Sequence, residues 1–309
     1  MKIALAPMQD VTDIAFVRTL QRIQSLPDYF VTPYFRSTPT TCALTEQNLL
    51  MIEQNETGVP IWAQIAGSEP SAIMRDCEML LRHPIAGIDL NAGCPSPLVN
   101  RNGAGASLLR DLPRFSAIAG AMRQGIDKGA FSIKCRLGWA EIEEFPRLIE
   151  LIAEAEPDLL CVHGRTRNQG YMRQAQLSPV ALAVEQLSPC PVMGNGDIIT
   201  PADAQRWMRD VAPAGLMIGR GAIRNPYLFR QLKGGAAPTQ EEMRLYYHCL
   251  IEETAKVVTS KQPHRFEQTH CNRLKKYLAY IYPNLPEGEE YHLRRCQSIK
   301  EMRQLLQID

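Results

Sequence analysis

The stretch Gly215–Ala222, "GLMIGRGA", is a short apolar run that ends in two glycines flanking an arginine. Seven runs of the same kind precede it. Reading backwards they are "PVMGNGD" (191–197), "LLCVHGRT" (159–166), "FSIKCRLG" (131–138), "GIDLNAG" (87–93), "IWAQIAG" (61–67), "YFVTPYF" (29–35) and "IALAP" (3–7). Short apolar runs closed by glycine read as buried strands. Each successive pair is separated by a segment long enough for a helix. "ITPADAQRWM" opens like one, with Thr200 as N-cap and Pro201 in the first turn. "AEIEEFPRLIELIAEAE" also mixes charged and apolar residues at helical spacing. A doubly wound open sheet is the main rival, but the eighth unit favours a closed (β/α)8 TIM barrel of α/β class.

Beyond Lys233 the texture changes. "GGAAPTQEE" is a linker followed by a capping box from Thr239 to Glu242. Met243, Tyr246, Tyr247, Leu250 and Ile251 then recur at helical spacing, and Leu274, Tyr277, Leu278 and Ile281 mark a second helix. The expected division is a barrel over 1–235 and an all-helical domain over 239–309.

The composition is that of an ordinary globular chain, 45% apolar and 22% charged over 309 residues. A net charge of +1 provides no global field for nucleic acid, though a local basic patch stays open. The nine cysteines include no C-x-x-C pair, so neither a structural zinc nor any other metal is expected. No signal peptide or membrane-length apolar stretch is present in the sequence. A reduced, cytoplasmic, monomeric protein is the expectation.

Barrel strands aim alternate residues inward, and the C-terminal ends of the strands carry the site. In "FSIKCRLG" the set Phe131, Ile133, Cys135 and Leu137 should face the outer helices, which aims Ser132, Lys134 and Arg136 into the barrel. Buried charges there would be costly without an anionic partner. Polar residues recur at other strand ends: Gln64, Asn91, His163 with Arg165, and Asn195 with Asp197. Five strand ends together indicate a ligand site. The last two carry Gly194, Gly196, Gly219 and Gly221 with Arg220. Loops after strands seven and eight commonly bind phosphate. A phosphate there, with Gln64, Lys134 and His163 across the mouth, suits FMN. Lys134 would meet the electron-rich N1/O2 edge of the flavin ring, and Gln64 its pyrimidine edge.

Taken together, "LAPMQDVTD", "WAQIAGS", "DLNAGCPSPLVNRNGAGASLLRD", "KCRLGW", "VHGRTRNQGY", "NGDI" and "IGRGA" resemble the tRNA-dihydrouridine synthases, closest in spelling to the C-type branch. The resemblance covers the barrel and, more loosely, the tail. It implies an FMN enzyme, recharged by NADPH, that reduces the 5,6 double bond of uracil in tRNA. Pro7 and Met8 would lie against the flavin. Gln64, Lys134 and His163 would hold its ring and ribityl chain, and Asn195, Gly196, Asp197, Gly219 and Arg220 its phosphate end. Asn91, Arg136 and Tyr171 match positions near the base. Cys94 would be the general acid. Hydride goes to C6, and C5 then needs a proton from the opposite face. A thiol of ordinary pKa, about 8.5, still carries one at neutral pH. The loop with Gly103 and Gly105 would fold over the site. In the tail, Arg273, Lys275 and Lys276 would grip tRNA, and four of the six histidines lie there too: His248, His264, His270 and His292.

One departure stands out. Pro33 occupies a place where C-type members carry an acidic residue, and Phe35 and Arg36 follow in a variable stretch near the substrate. Position 16 of the D-loop is the expected target, with another tRNA position or another RNA as the alternative. A flavin oxidoreductase on free pyrimidines, resembling dihydroorotate or dihydropyrimidine dehydrogenases, is the rival enzyme. Those barrels lack a helical RNA-binding tail. A non-enzymatic RNA-binding role leaves the inward Lys134 unexplained.

Overall fold

The computed structural model describes residues 1–309 except 42, 43, 45, 128, 259–264, 282–291, 293, 294 and 309, and except the side chains of 46–48 and 279. His264 and Cys42 therefore lie outside the described residues. Among the described residues nine strands form one sheet: β1 (Lys2–Leu5), β2 (Tyr29–Val31), β3 (Phe35–Arg36), β4 (Ile61–Ala66), β5 (Gly87–Ala92), β6 (Ala130–Arg136), β7 (Leu159–His163), β8 (Val192–Asn195) and β9 (Gly215–Ile218). All pairings are parallel, β9 pairs with β1, and β2 pairs with both β1 and β4, which closes the barrel. The run "YFVTPYF" thus forms two short strands along one stave. Pro33 has no N–H to give to a ladder, so pairing stops at Val31 and resumes at Phe35.

The sleeve helices are α1 (Ile14–Arg22), α2 (Glu46–Glu53), α3 (Pro70–Leu80), α4 (Pro97–Asn100), α5 (Leu112–Gly125), α6 (Phe145–Ala155), α7 (Ser178–Gln186), α8 (Pro201–Asp210), α9 (Arg220–Arg224) and α10 (Leu228–Leu232). Helix α8 starts as the sequence indicates, with Thr200 and Asp203 in a reciprocal capping box.

Two apolar clusters follow from the period-two alternation of the strands. The larger lies between strands and helices and includes Phe131, Ile133, Cys135 and Leu137. The smaller fills the inside of the barrel with Ala4, Ala6, Tyr29, Val31, Cys161, Met193 and Met217. Above this inner plug the inward positions turn polar, and there the site begins.

The C-terminal unit contains α11 (Gln240–Val257), α12 (Phe266–Ile281) and α13 (Ile299–Leu305). Its apolar face joins the larger cluster, with Tyr246, Leu250, Leu274, Tyr277 and Ile281 all buried. Polar clamps fix it to the barrel. Arg22 on α1 pairs with Glu252 at 2.7 Å and with buried Glu253 at 3.0 Å. Arg224 on α9 donates to the Tyr280 carbonyl at 3.0 Å. Asp13, the N-cap of α1, accepts from the Tyr277 hydroxyl at 3.0 Å and pairs with Arg273.

Candidate active site

The C-terminal mouth of the barrel holds a cavity of about 490 Å³, a volume usual for small-molecule sites. Strand register assembles its floor. Gln64 stands beside Asp89, Asp89 beside Ser132, Asn91 beside Lys134, Arg136 beside His163, and His163 beside Asn195. Ser132 Oγ and Gln64 Nε2 donate to the Asp89 carboxylate at 2.5 and 2.7 Å. Asn91 Nδ2 donates to Gln64 Oε1 at 2.8 Å. Asn91 Oδ1 in turn accepts the N–H groups of Gly93 and Cys94 at 3.1 and 2.9 Å. A continuous chain of hydrogen bonds therefore runs from a fully buried carboxylate to the backbone of Cys94. Burial pushes the Asp89 carboxyl above its ordinary pKa, against the pull of Gln64, Ser132 and Lys134.

The Cys94 carbonyl accepts from Asn100 Nδ2 at 2.9 Å and from Ala106 N–H at 3.0 Å. Gly105 packs so close that a Cβ on it would lie 3.1 Å from Cys94 Cβ. The expected glycine loop is thus a short 3-10 turn, Gly105–Arg110, fixed against the cysteine. Burial pushes the Cys94 thiol up, opposed by a backbone bond from Ser96 and by the charges of Arg136 and Lys134. Fully buried Arg136 donates to the carbonyls of Gly93, Thr166 and Gly170 at 2.9, 3.0 and 3.2 Å. It ties the Cys94 loop to the loop after β7.

The opposite wall is cationic. Lys134 Nζ donates to Asn195 Oδ1 at 3.2 Å, and Asn195 Nδ2 is anchored on the Met217 carbonyl at 2.7 Å. Arg165 pairs with Asp197 and donates to His163 Nε2 at 3.1 Å. A guanidinium can only donate, so Nε2 is the bare nitrogen of that ring. Burial, then the charges of Arg136, Lys134, Arg165 and Arg220, hold His163 well below its ordinary pKa, hence neutral. Asp197 also reaches Arg220 at 3.4 Å and accepts Ala175 N–H at 2.8 Å. Burial works to raise its pKa, but the Arg165 and Ala175 hydrogen bonds and the arginine charges leave it lowered. A carboxylate repels phosphate oxygens, so the Asp197 side chain serves this wall by aiming two guanidinium groups. Arg220 lies 4.3 Å over the ring of Tyr171, which also flanks Arg136 and His163.

These residues fit a phosphate-bearing anion such as FMN. Four cations (Lys134, Arg136, Arg165, Arg220) face two carboxylates, Asp89 and Asp197. Gly196 and Gly219 leave the backbone bare at the same wall; a Cβ on Gly219 would stand 3.4 Å from Met8 Sδ. Pro7 and Met8 line the far side, and Thr12 pins that loop by accepting Met8 N–H at 2.8 Å.

Every barrel residue to which the resemblance gave a role at the flavin or the base lines this cavity, whereas Phe35, and Arg165 and Gly194 among the strand-end residues, do not. Phe35 is 3% exposed and packed in the sleeve cluster. The strand break at Pro33 sets it facing the helices, and its neighbour Tyr34 lines the cavity instead. Two residues not singled out from the sequence, Asp89 and Tyr280, belong to the site, and Arg165 joins it behind the cavity wall. Asp89 shares the inward face of β5 with Asn91, so alternation alone could have found it. Arg165 stood among the polar strand ends, and its bridging position needed the fold. Tyr280 reaches the cavity from α12, and its place depends on how the tail docks. In the tail, Arg273 is paired with Asp13 and Lys276 with Asp10 at 3.3 Å; Lys275 is half-buried. His270 is buried between Thr254 Oγ1 and the Ile251 carbonyl at 2.9 and 3.0 Å. His248 pairs with Glu252 at 3.0 Å. Among the described residues there is no cluster of three or more His, Cys, Asp or Glu placed to hold a metal, and no helix long and apolar enough to cross a membrane.

Comparison with known proteins matches this architecture. Histamine dehydrogenase from Rhizobium sp. 4-9 superposes with a TM-score of 0.57 at 13% identity, over 80% of this chain and 49% of that one. Morphinone reductase does so at 0.54 and 13%, over 77% and 87%. At that identity the likeness is one of fold. Sequence relatives are nearer. A tRNA-dihydrouridine(16) synthase of Haemophilus ducreyi is 31% identical over 93% of this chain and 88% of its own length. One of Salmonella typhimurium is 29% identical over 94% and 93%. The profile of the family described as Dihydrouridine synthase (Dus) matches residues 4–307. With nearly its whole length matched, and with Cys94 set at the mouth of a cationic barrel, this chain belongs to the dihydrouridine synthase family.

Proposed function

We propose that this protein reduces uridine in tRNA to 5,6-dihydrouridine, using FMN and NADPH, with position 16 of the D-loop as the target. The observation that carries the reading is Cys94: a thiol lining the cationic cavity, on a loop clamped by Asn91, Asn100 and Arg136, with burial pushing its pKa up. Relatives named tRNA-dihydrouridine(16) synthase support the substrate and the position.

Bound FMN supplies the hydride that goes to C6 of the uracil ring. Cys94 gives its proton to C5, and water returns one to the thiolate. The net reaction consumes uridine, NADPH and a proton and yields dihydrouridine and NADP⁺. Lys134, oriented by Asn195, would donate to the electron-rich edge of the flavin ring. Gln64 has one amide N–H committed to Asp89 and its oxygen to Asn91, which leaves the second N–H for a ring carbonyl. Arg220 and the bare backbone at Gly196 and Gly219 would hold the phosphate. Neutral His163 offers a hydrogen bond without adding charge. The unit 1–235 acts as the catalytic domain and 239–309 as the RNA-recognition domain of a cytoplasmic monomer.

The test is reconstitution. Purified protein should be yellow, and with NADPH it should convert unmodified tRNA to tRNA carrying one dihydrouridine, mapped by reverse-transcription arrest after alkali. Dihydrouridine at another position would move the target. A colourless protein that takes up no FMN, or turnover of free uracil but not tRNA, would overturn the reading.

A further inference from the structure

Three loops of the barrel mouth converge on one aromatic ring outside the cavity. Arg110, at the end of the turn after β5, and Arg167, in the loop after β7, each place their guanidinium carbon 4.6 Å from the centre of the Trp139 ring, which follows β6. None of the three lines the cavity. The platform is rigid. Arg167 N–H donates to the Gly138 carbonyl and Asn168 N–H to the Trp139 carbonyl, both at 2.9 Å. Glu144 caps the other side, accepting Trp139 N–H at 2.6 Å and Ala140 N–H at 3.0 Å.

Neither guanidinium makes an ion pair among the described residues, although Glu141 and Glu143 follow in the same loop. Exposed Arg110 has no hydrogen-bond partner among those residues, and Arg167 spends donors only on the Asn100 and Asn168 amide oxygens. Stacking on indole orders a guanidinium while leaving its in-plane N–H groups open. The site is also next to the chemistry. Asn100 accepts from Arg167 at 3.2 Å and donates to the Cys94 carbonyl at 2.9 Å. A base that reaches Cys94 must cross this rim while its sugar–phosphate chain stays outside.

We propose that Arg110, Trp139 and Arg167 form a docking ridge for the phosphates of the RNA chain that delivers the base to Cys94. This rests on the reading of the protein as an RNA-modifying enzyme. Phosphate contacts position a nucleic acid without reading its sequence. The ridge therefore sets how the strand enters, and it is separate from any contact made by the tail.

The test is the affinity of the FMN-loaded protein for unmodified tRNA across a KCl series. Arg110→Ala and Arg167→Ala should each lower the log–log salt slope by about one unit, and weaken binding roughly eightfold near 0.1 M salt. Arg110→Lys should keep the slope, because the charge remains. Flavin content should not change in any of them. The Arg110 side chain stacks on Trp139 and makes no hydrogen bond or ion pair among the described residues, so its variants leave the bonds of the Cys94 loop intact. Unchanged affinity and slope in Arg110→Ala, with salt-dependent binding by the parent protein, would overturn the ridge and spare the proposed activity. Absence of tRNA binding by the parent protein would overturn both.

Discussion

The barrel mouth and the tail helix α12 both carry clustered positive charge, and they use it differently. At the mouth, among the described residues, Lys134 faces a cavity and is bonded only to the Asn195 amide oxygen, and Arg110 and Arg167 stack on Trp139 with no ion pair. On α12, Arg273 and Lys276 are paired with Asp13 and Asp10 of the barrel. The first arrangement leaves charge available to an anion. The second spends it on holding two parts of one chain together. Basic residues on a helix face are therefore not equivalent to a basic site; the position of the counterions decides.

The largest effect that would test this contrast is at Cys94. Cys94→Ala should keep flavin and tRNA affinity and lose about 10²–10⁴-fold in turnover, the usual cost of removing one general acid. Burial raises the thiol pKa, so the acid form persists through neutral pH and above the ordinary thiol range. Turnover should stay flat across neutral pH and fall only as pH rises through that elevated value. A decline beginning below pH of about 7 would assign the proton to another group.

Next in size is the tether. Asp13 caps α1, accepting Phe16 N–H at 3.1 Å, and receives Tyr277 and Arg273 from α12. Asp13→Ala should destabilise the protein by about 2–4 kcal/mol, combining a lost cap with lost hydrogen bonds to a charged acceptor. Thermal unfolding measures it. A change below about 0.5 kcal/mol, the range of ordinary surface substitutions, would show that α12 is held by its apolar face alone. Lys134→Ala follows, with flavin affinity expected to drop about 10- to 100-fold, the loss of one charge-assisted hydrogen bond of about 1.5–3 kcal/mol. Flavin retention through gel filtration reads it out.

The same contrast explains what could be read from the sequence. The mouth was legible because strand alternation is a strict rule. Once Phe131 and Ile133 face the helices, Lys134 must point inward, and the parallel register then sets Asn91 beside Lys134 on β5 and β6, with Asn195 further round on β8, beyond β7. Phe35 was named from the resemblance alone, as part of a stretch near the substrate, and alternation offered no check on it. Pro33 interrupts the ladder, and alternation cannot be carried across a break. Tyr280 and the pairing of Arg273 were not legible at all. They depend on how α11 and α12 dock against α1 and α9, through contacts separated in sequence by 264 residues at Tyr277–Asp13 and by 56 at Tyr280–Arg224. Periodicity showed which face of α12 is apolar, and it was right about Leu274, Tyr277, Leu278 and Ile281. It carries no information on which barrel carboxylates wait beneath the basic edge.

The smallest effect is expected in the tail, and it separates a grip from a tether. Lys275 is the cation of the trio with no ion pair among the described residues. Lys276 is exposed and its bond to Asp10 is long and exposed at both ends, the kind of pair worth about 0–1 kcal/mol. Arg273 is excluded from the test, because removing it strips Asp13 of a partner and displaces the helix. Lys275→Ala with Lys276→Ala should lower the salt slope of tRNA binding by about one unit, from Lys275, since Lys276 exchanges a carboxylate for a phosphate and gains little. Arg110→Ala with Arg167→Ala should lower it by about two. Equal losses from the two pairs would mean that α12 presents as much free charge as the ridge does, and that its bonds to Asp10 and Asp13 open when RNA arrives. No loss from the lysine pair would leave α12 as a structural helix, whose contribution to the site is Tyr280 rather than its charge.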